Sequence, residues 1–474
     1  MVVTTSRNAA LLASKARTRD PQPRQSAATT PEATELALGG RASTERGRSR
    51  EPAPSNGRRS LREAIGVAWE RAAAGAGKRL RSAEAALRRA IESLPAPGKR
   101  RGVLFIGYAE GDLGLGQSFR NNVVAAKQAG VPLAIYPFRA GIETRLIEPF
   151  MPALYATRRA YGLNFMEVAP DQVPVVFRRV GPKLTRGGYN ILRTFWELPQ
   201  APADWRRMLC GVDEIWAPND FVADALKAVF PGAISIIPPC VDTGEGPFDG
   251  RDAFAMDPDR FYFLFSFDYF SSPYRKNPVA VARAFRRAFA SGDENVGLVI
   301  KSIGAIDLHP DTAQALFEFA AQDSRIIVIH RTLERQPMLS LIHACDAYVS
   351  LHRSEGFGAG MAEAMSMGKI VIGTDFSGSR DFLCDATGFP VPFALRDVEA
   401  HEYPWSEKQA WAEPDEDAAA AIMRQVADHP AIAAERARAG QDLVREKYGS
   451  RAVGESIRRR LTEIAAQTGQ GGAL

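Results

Sequence analysis

Short apolar runs and helical stripes alternate along this chain from about residue 102 to its end. The runs at 102–107 (GVLFIG), 131–136, 261–267 (FYFLFSF), 297–300, 326–330, 347–351 (AYVSL) and 370–372 are short and rich in β-formers, while 190–199 and 213–226 read as strand-to-helix transitions and 235–239 closes the first half. Such runs predict strands buried on both faces of a parallel sheet. Helical spacing follows at 122–129, 279–290, 417–427, 431–448 and 451–467. The alternation predicts an α/β chain of two Rossmann-like halves, 102–250 and 255–446, with a glycine-bearing connection at 244–250 and a last helix at 447–468.

The first hundred residues read differently. Residues 1–59 have few large apolar side chains and are predicted to be disordered. Between 60 and 94, Leu61, Ile65 and Trp69 make one helical stripe and Leu80, Leu87, Ile91 and Leu94 another, ended by a linker of Pro95, Pro97 and Gly98. The whole segment 1–97 is thus a disordered basic tail carrying an amphipathic helix at 60–94. Residues 1–101 hold 21 Lys/Arg against 9 Asp/Glu, net +12, while the rest hold 39 against 46, net −7. A basic amphipathic helix suits an anionic membrane surface; packing on the body, or plain solvation, explains it equally.

Four scattered cysteines without a CxxC pair suggest neither a disulfide framework nor a zinc site and favour a reducing compartment. No apolar stretch reaches the roughly 18 residues of a spanning helix, and the N-terminus lacks a signal-peptide core. The expectation is a cytoplasmic protein, with peripheral contact on the inner membrane face as the alternative. Six histidines without ligand spacing, and no DxD at a strand end, predict no metal. Asp415, Glu416 and Asp417 read instead as a helix N-terminus, where acids are favoured.

The chemistry concentrates between residues 351 and 375, LHRSEGFGAGMAEAMSMGKIVIGTD. Here a strand leads through a glycine loop into a helix of about two turns, with Gly368 placed to end it. Gly356, Gly358 and Gly360 can turn bare N–H groups toward an anion. Glu355 and Glu363 flank them, and ionised carboxylates accept from paired hydroxyls. Phosphate beside the glycines and hydroxyls beside the glutamates describe a nucleotide sugar.

Glu-Gly-Phe-Gly, the second Glu and Ala-Met-Ser-Met-Gly together resemble the donor signature of retaining family 4 glycosyltransferases of the GT-B fold. The resemblance covers about 102–468, strongest over 255–385. It implies that Glu355 contacts the transferred sugar, that Glu363 holds the ribose, and that Gly356, Phe357, Gly358, Ala359, Gly360 and Met361 cradle the diphosphate. It also places Lys276 on the diphosphate. The family's Arg after the strand at 261–267 is missing, since Phe267 or Asp268 stands there, and Arg275 is the candidate substitute. Lys301 and Arg331, at the next strand ends, complete the donor set.

In the first half, Gly114, Gly116, Gln117 and Arg120 match the family's glycine loop after the first strand. Phe119 stands where a GxGxxG fingerprint requires its third glycine, which disfavours a dinucleotide cofactor. Trp196, Glu197 and Asn219, at later strand ends, are acceptor candidates, although Trp196 is equally explained by packing. The expected activity is transfer of a sugar from a nucleoside diphosphate sugar to a glycan or lipid-linked hydroxyl in surface polysaccharide or glycolipid synthesis. No cofactor, metal or nucleic-acid partner is expected. The alternatives are a sugar-nucleotide epimerase or phosphorylase, and a catalytically idle sugar-nucleotide-binding protein.

Overall fold

The computed structural model describes residues 2–3 and 100–469, apart from 143, 157–160, 182–184, 186 and 293. The stripes at 60–94 and nearly all of the basic segment lie outside the described residues. Within residues 1–59, expected to be disordered, Val2–Val3 pairs antiparallel with Ile326–His330. Two β-branched residues meet the backbone groups that a sheet edge leaves unpaired.

Six parallel strands build the first half, in the order Leu133–Pro137, Arg100–Gly107, Tyr161–Glu167, Tyr189–Arg193, Glu214–Ala217 and Ala233–Ile236. Side chains alternate across this sheet. Leu104 and Ile106 pack with Val176, Val222 and Leu226 on one face, while Val103 and Phe105 pack with Val453, Ile457, Leu461 and Ile464 on the other. The second set belongs to the last helix, Ser450–Gln467, which therefore covers a face of the first sheet. A Cβ on Gly454 would lie 2.3 Å from the Ala125 carbonyl oxygen, so this helix and Gly114–Gln128 touch backbone to backbone. Arg460 ties the last helix to the sheet by donating to both oxygens of the fully buried Glu214, at 2.8 and 2.9 Å.

The second half is a sheet with parallel strands ordered Ile326–His330, Val296–Ile303, Phe261–Asp268, Ala347–Ser350, Ile370–Thr374 and Phe389–Val391. Two crossings join the halves and lie side by side: Val241 N–H donates to the Tyr448 carbonyl at 2.8 Å, and Ser450 Oγ to Asp242 at 2.9 Å.

The strands Tyr161–Glu167 and Phe389–Val391 had no expectation behind them, and neither had one further element. An antiparallel pair, Phe393–Asp397 with Ala410–Pro414, rises after the second sheet. Its Trp411 and the adjoining Val398 are buried in the core of the first half. Asp415 caps the next helix, Glu416–Asp428, by accepting from the N–H groups of Asp417 and Ala418, as that acidic cluster predicts. Gly368, at φ +73°, closes the helix Ala359–Ser366 one residue after its cap.

Candidate active site

Strand order decides where the site lies. In the second sheet the order reverses between Phe261–Asp268 and Ala347–Ser350, and the loops leaving their carboxyl ends diverge to opposite sides. A crevice opens at such a point. The first loop turns through Pro273–Lys276 and delivers Arg275 and Lys276; the second delivers Glu355. Gly358, at φ +92°, then starts Ala359–Ser366 with no side chain capping it, so the first-turn N–H groups and the positive helix end face the cleft. A Cβ on Gly360 would meet Tyr348 Oη at 2.5 Å, which keeps that position a glycine.

Glu355 is 8% exposed and carries two cations. One oxygen accepts from Arg275 Nη1 at 3.0 Å and the other from Lys276 Nζ. Burial alone would raise this carboxyl, but Lys276 and Arg275 outweigh it and hold it at about 2. Glu355 is therefore ionised whenever the protein is folded near neutrality. Arg275 also donates to the Ser354 carbonyl at 2.9 Å and stands 3.9 Å from Glu197, which leaves its guanidinium largely spent inside the protein.

The loop behind Glu355 is braced. Its N–H donates to Ser377 Oγ at 2.8 Å, and its carbonyl accepts from Gly378 N–H at 2.9 Å. His352 bridges Ser350 Oγ at 3.1 Å and Ser379 Oγ at 3.2 Å; burial brings it down to about 4, so it works as a neutral hydrogen-bonding strut.

Glu363, on the helix, accepts from Arg335 Nη1 at 2.7 Å, and Arg335 also donates to the Asp242 carbonyl at 3.0 Å. Lys301 is 6% exposed, lines the cleft and has no hydrogen-bond partner among the described residues. Burial lowers its ammonium to about 8 against the opposing pull of Asp268. Across the cleft, Arg120 donates to the carbonyls of Ala109 and Gly111 and to Gln117 Oε1. The cleft encloses about 1220 Å³, which exceeds the roughly 300–1,000 Å³ of a site for one small ligand.

An aromatic wall closes one end. Trp196 packs edge-on against Trp205 at 4.7 Å and Trp405 at 5.9 Å, and Tyr403 donates to Glu197 at 2.9 Å. Gln409 and Gln200 exchange hydrogen bonds between the halves.

With this geometry in place, the chain can be set beside known proteins. Residues 271–401 match the family described as glycosyl transferases group 1. HepE from Anabaena, solved in complex with UDP-glucose, matches with a TM-score of 0.54 at 14% identity over 77% of this chain and 100% of its own. Sucrose-phosphate synthase from Thermosynechococcus elongatus matches with a TM-score of 0.56 at 15% identity, over 77% of this chain and 100% of its own. The trehalose-6-phosphate protein from E. coli bound with UDP-2-fluoro glucose gives 0.52 at 10%, over 76% and 99%. At these identities the likeness is one of fold. The fold is GT-B. No curated protein matches the chain by sequence.

In this GT-B cleft the structure brings together Glu355, Lys276, Arg275, Lys301, Glu363 and the segment Gly356 to Met361, together with Gly114, Gln117, Arg120, Trp196 and Glu197. Three expected residues stand elsewhere. Gly116 sits in a helix, Gly114–Gln128, where a loop was expected, and faces away from the cleft: its Cβ would lie 2.2 Å from the Gly111 carbonyl oxygen. Asn219 caps Asp220–Lys227 by accepting from Val222 N–H, and donates to the Gly356 carbonyl at 2.8 Å, so it ties the halves together. Arg331 is exposed and off the cleft lining, while Arg335, in the following helix Arg335–Ala344, is on it. Arg335, His352, Tyr403 and Trp405 were not expected, because no local pattern marks them. Among the described residues no group of His, Cys, Asp or Glu could hold a metal, and no helix is long and apolar enough to cross a membrane.

Proposed function

We propose that this protein is a retaining, metal-independent glycosyltransferase that moves a sugar from a nucleoside diphosphate sugar to a hydroxyl acceptor. The observation that carries the reading is the joint placement of Glu355, Glu363, an uncapped helix start and two lysines around one crevice. Phosphate oxygens lie at the first turn of Ala359–Ser366, with Lys276 and Lys301 balancing their charge. Lys301, buried and unbonded, fills the role left by the missing Arg better than Arg275, whose donors are already occupied. Glu363 accepts from the ribose hydroxyls, and Glu355 accepts from the sugar while fixing both cations.

The acceptor oxygen forms a bond to the anomeric carbon on the face from which the diphosphate oxygen departs. The acceptor proton passes to that diphosphate, which leaves as the nucleoside diphosphate. The protein contributes orientation and charge. UDP is the first nucleotide to try, since the HepE complex holds UDP-glucose. Incubation with a panel of UDP and GDP sugars, in EDTA and with Mn²⁺, tests the reading. Donor consumption that survives EDTA and gives a product of unchanged anomeric configuration supports it; no binding or consumption of any donor, or activity only with metal, overturns it. A role in surface polysaccharide or glycolipid synthesis fits a cleft with room for both substrates.

A further inference from the structure

Trp405 is 49% exposed, although its own hairpin packs on the first half and its ring touches Trp196 and Trp205 there. Its indole packs edge-on against Trp196 and Trp205, which are 4% and 3% exposed, and what remains uncovered lines the cleft. Its backbone has φ +55°, a left-handed conformation that is strained for a bulky side chain. Strain of this kind persists where surrounding structure imposes it, and clusters at ligand-binding sites. The surroundings here are explicit. The loop carrying Trp405 is pinned by Tyr403 to Glu197, by Ser272 to the Glu402 carbonyl, and by the reciprocal Gln409–Gln200 pair.

A carboxylate lies beside this face, and another lines the same cleft. Glu197 lines the cleft two contacts from Glu355, through Arg275, and Asp171 lines it from the first half. A flat apolar face beside fixed acceptors is complementary to a pyranose, whose ring C–H groups make an apolar face and whose rim carries hydroxyl donors. A lipid chain would match the indole but offer no donor to the lone pairs that Glu197 keeps beyond Tyr403 and Arg275.

Resting on the reading of the cleft as a glycosyltransfer site, we propose that Trp405 is the stacking platform for a pyranose of the acceptor, with Glu197 accepting from its hydroxyls. The acceptor is then a saccharide at its reacting end. The second half of the molecule, through its hairpin, supplies part of the acceptor subsite.

Saturation-transfer NMR with methyl pyranosides and disaccharides, in the presence and absence of UDP, tests this without turnover. Wild type is expected to bind at least one of these probes. Trp405→Ala should weaken that binding about ten-fold, as loss of an aromatic contact predicts, while Trp405→Phe restores most of it. Leu395→Ala, on the same hairpin but off the cleft, should leave it unchanged. Circular dichroism melts of each variant establish that it is folded. Equal binding by wild type and Trp405→Ala overturns the proposal, as does failure of wild type to bind any saccharide probe in either condition. Should saccharides bind through Trp405 while no nucleotide sugar binds, the platform stands and the donor reading falls.

Discussion

Arg335 Nη1 lies 2.7 Å from Glu363 Oε1, so the carboxylate suited to a ribose is already held by a cation that also grips the crossing between the halves at the Asp242 carbonyl. An ion pair in this position aims the carboxylate without satisfying both its oxygens. Glu363→Gln should weaken UDP binding about ten-fold, because a charged acceptor becomes a neutral one. Arg335→Ala should weaken it in the same direction. If Arg335 acts by aiming Glu363, the double variant will lose less than the two single losses combined. Calorimetry with UDP across the four proteins measures this coupling.

Glu355 is buried against two cations, so removing it strands both. Glu355→Ala should cost about 3–5 kcal/mol of stability, the usual penalty for breaking a buried pair, read as a shift in denaturant midpoint. Glu355→Gln keeps hydrogen-bond acceptance and should cost less. Its main effect should be a fall in kcat of donor turnover with UDP affinity little changed, if Glu355 contacts the transferred sugar as proposed.

The same pair gives an acid limb. The Glu355 carboxyl is held at about 2 when folded, below its ordinary value of 4.5. A depressed carboxyl stabilises the fold above its unfolded value and loses that contribution as pH falls through the folded one. Wild type should therefore lose stability between pH 4.5 and 2 more steeply than Glu355→Gln, whose amide does not titrate. Urea titrations at stepped pH compare the two slopes.

Lys301 sets an alkaline limb on binding. Its ammonium is lowered to about 8 by burial, so it sheds its proton as pH rises through that value. If Lys301 faces the diphosphate as proposed, affinity for UDP should fall as pH rises above about 8, because that charge is lost. Lys301→Met should bind UDP about ten-fold more weakly at pH 7 and show a flatter profile, as expected for one charged hydrogen bond.

Gly454 tests the returning helix. Any side chain there pushes on the Ala125 carbonyl, so Gly454→Val should destabilise by about 1–3 kcal/mol through overpacking. Thermal melts measure the loss. An unchanged melting temperature would mean that the helix docks less closely than described.

Local sequence determined a good deal of this protein. Uncharged β-rich runs placed most strands, the glycine-to-glutamate loop marked a strand-to-helix turn at the crevice, and the three last helices fall within a few residues of their expected limits. Each of these depends on neighbours within a turn or a strand, whose periodicity and backbone preferences are written locally. The first helix was legible only in part. Its opening, Gly114–Leu115–Gly116, is poor in helix propensity, and contact with the 108–111 loop overrides it.

Tertiary structure alone decided the partners. Nothing near Arg335 in sequence announces Glu363, nor does anything near Arg275 announce that Glu355 would consume its charge. The hairpin at 393–414 carries residues that complete a core and a cleft wall in the other half, about 200 positions away. Long-range pairing of this kind depends on which surfaces two separately folded sheets present to each other. That is a property of packed shape and charge, and no single stretch of chain contains it.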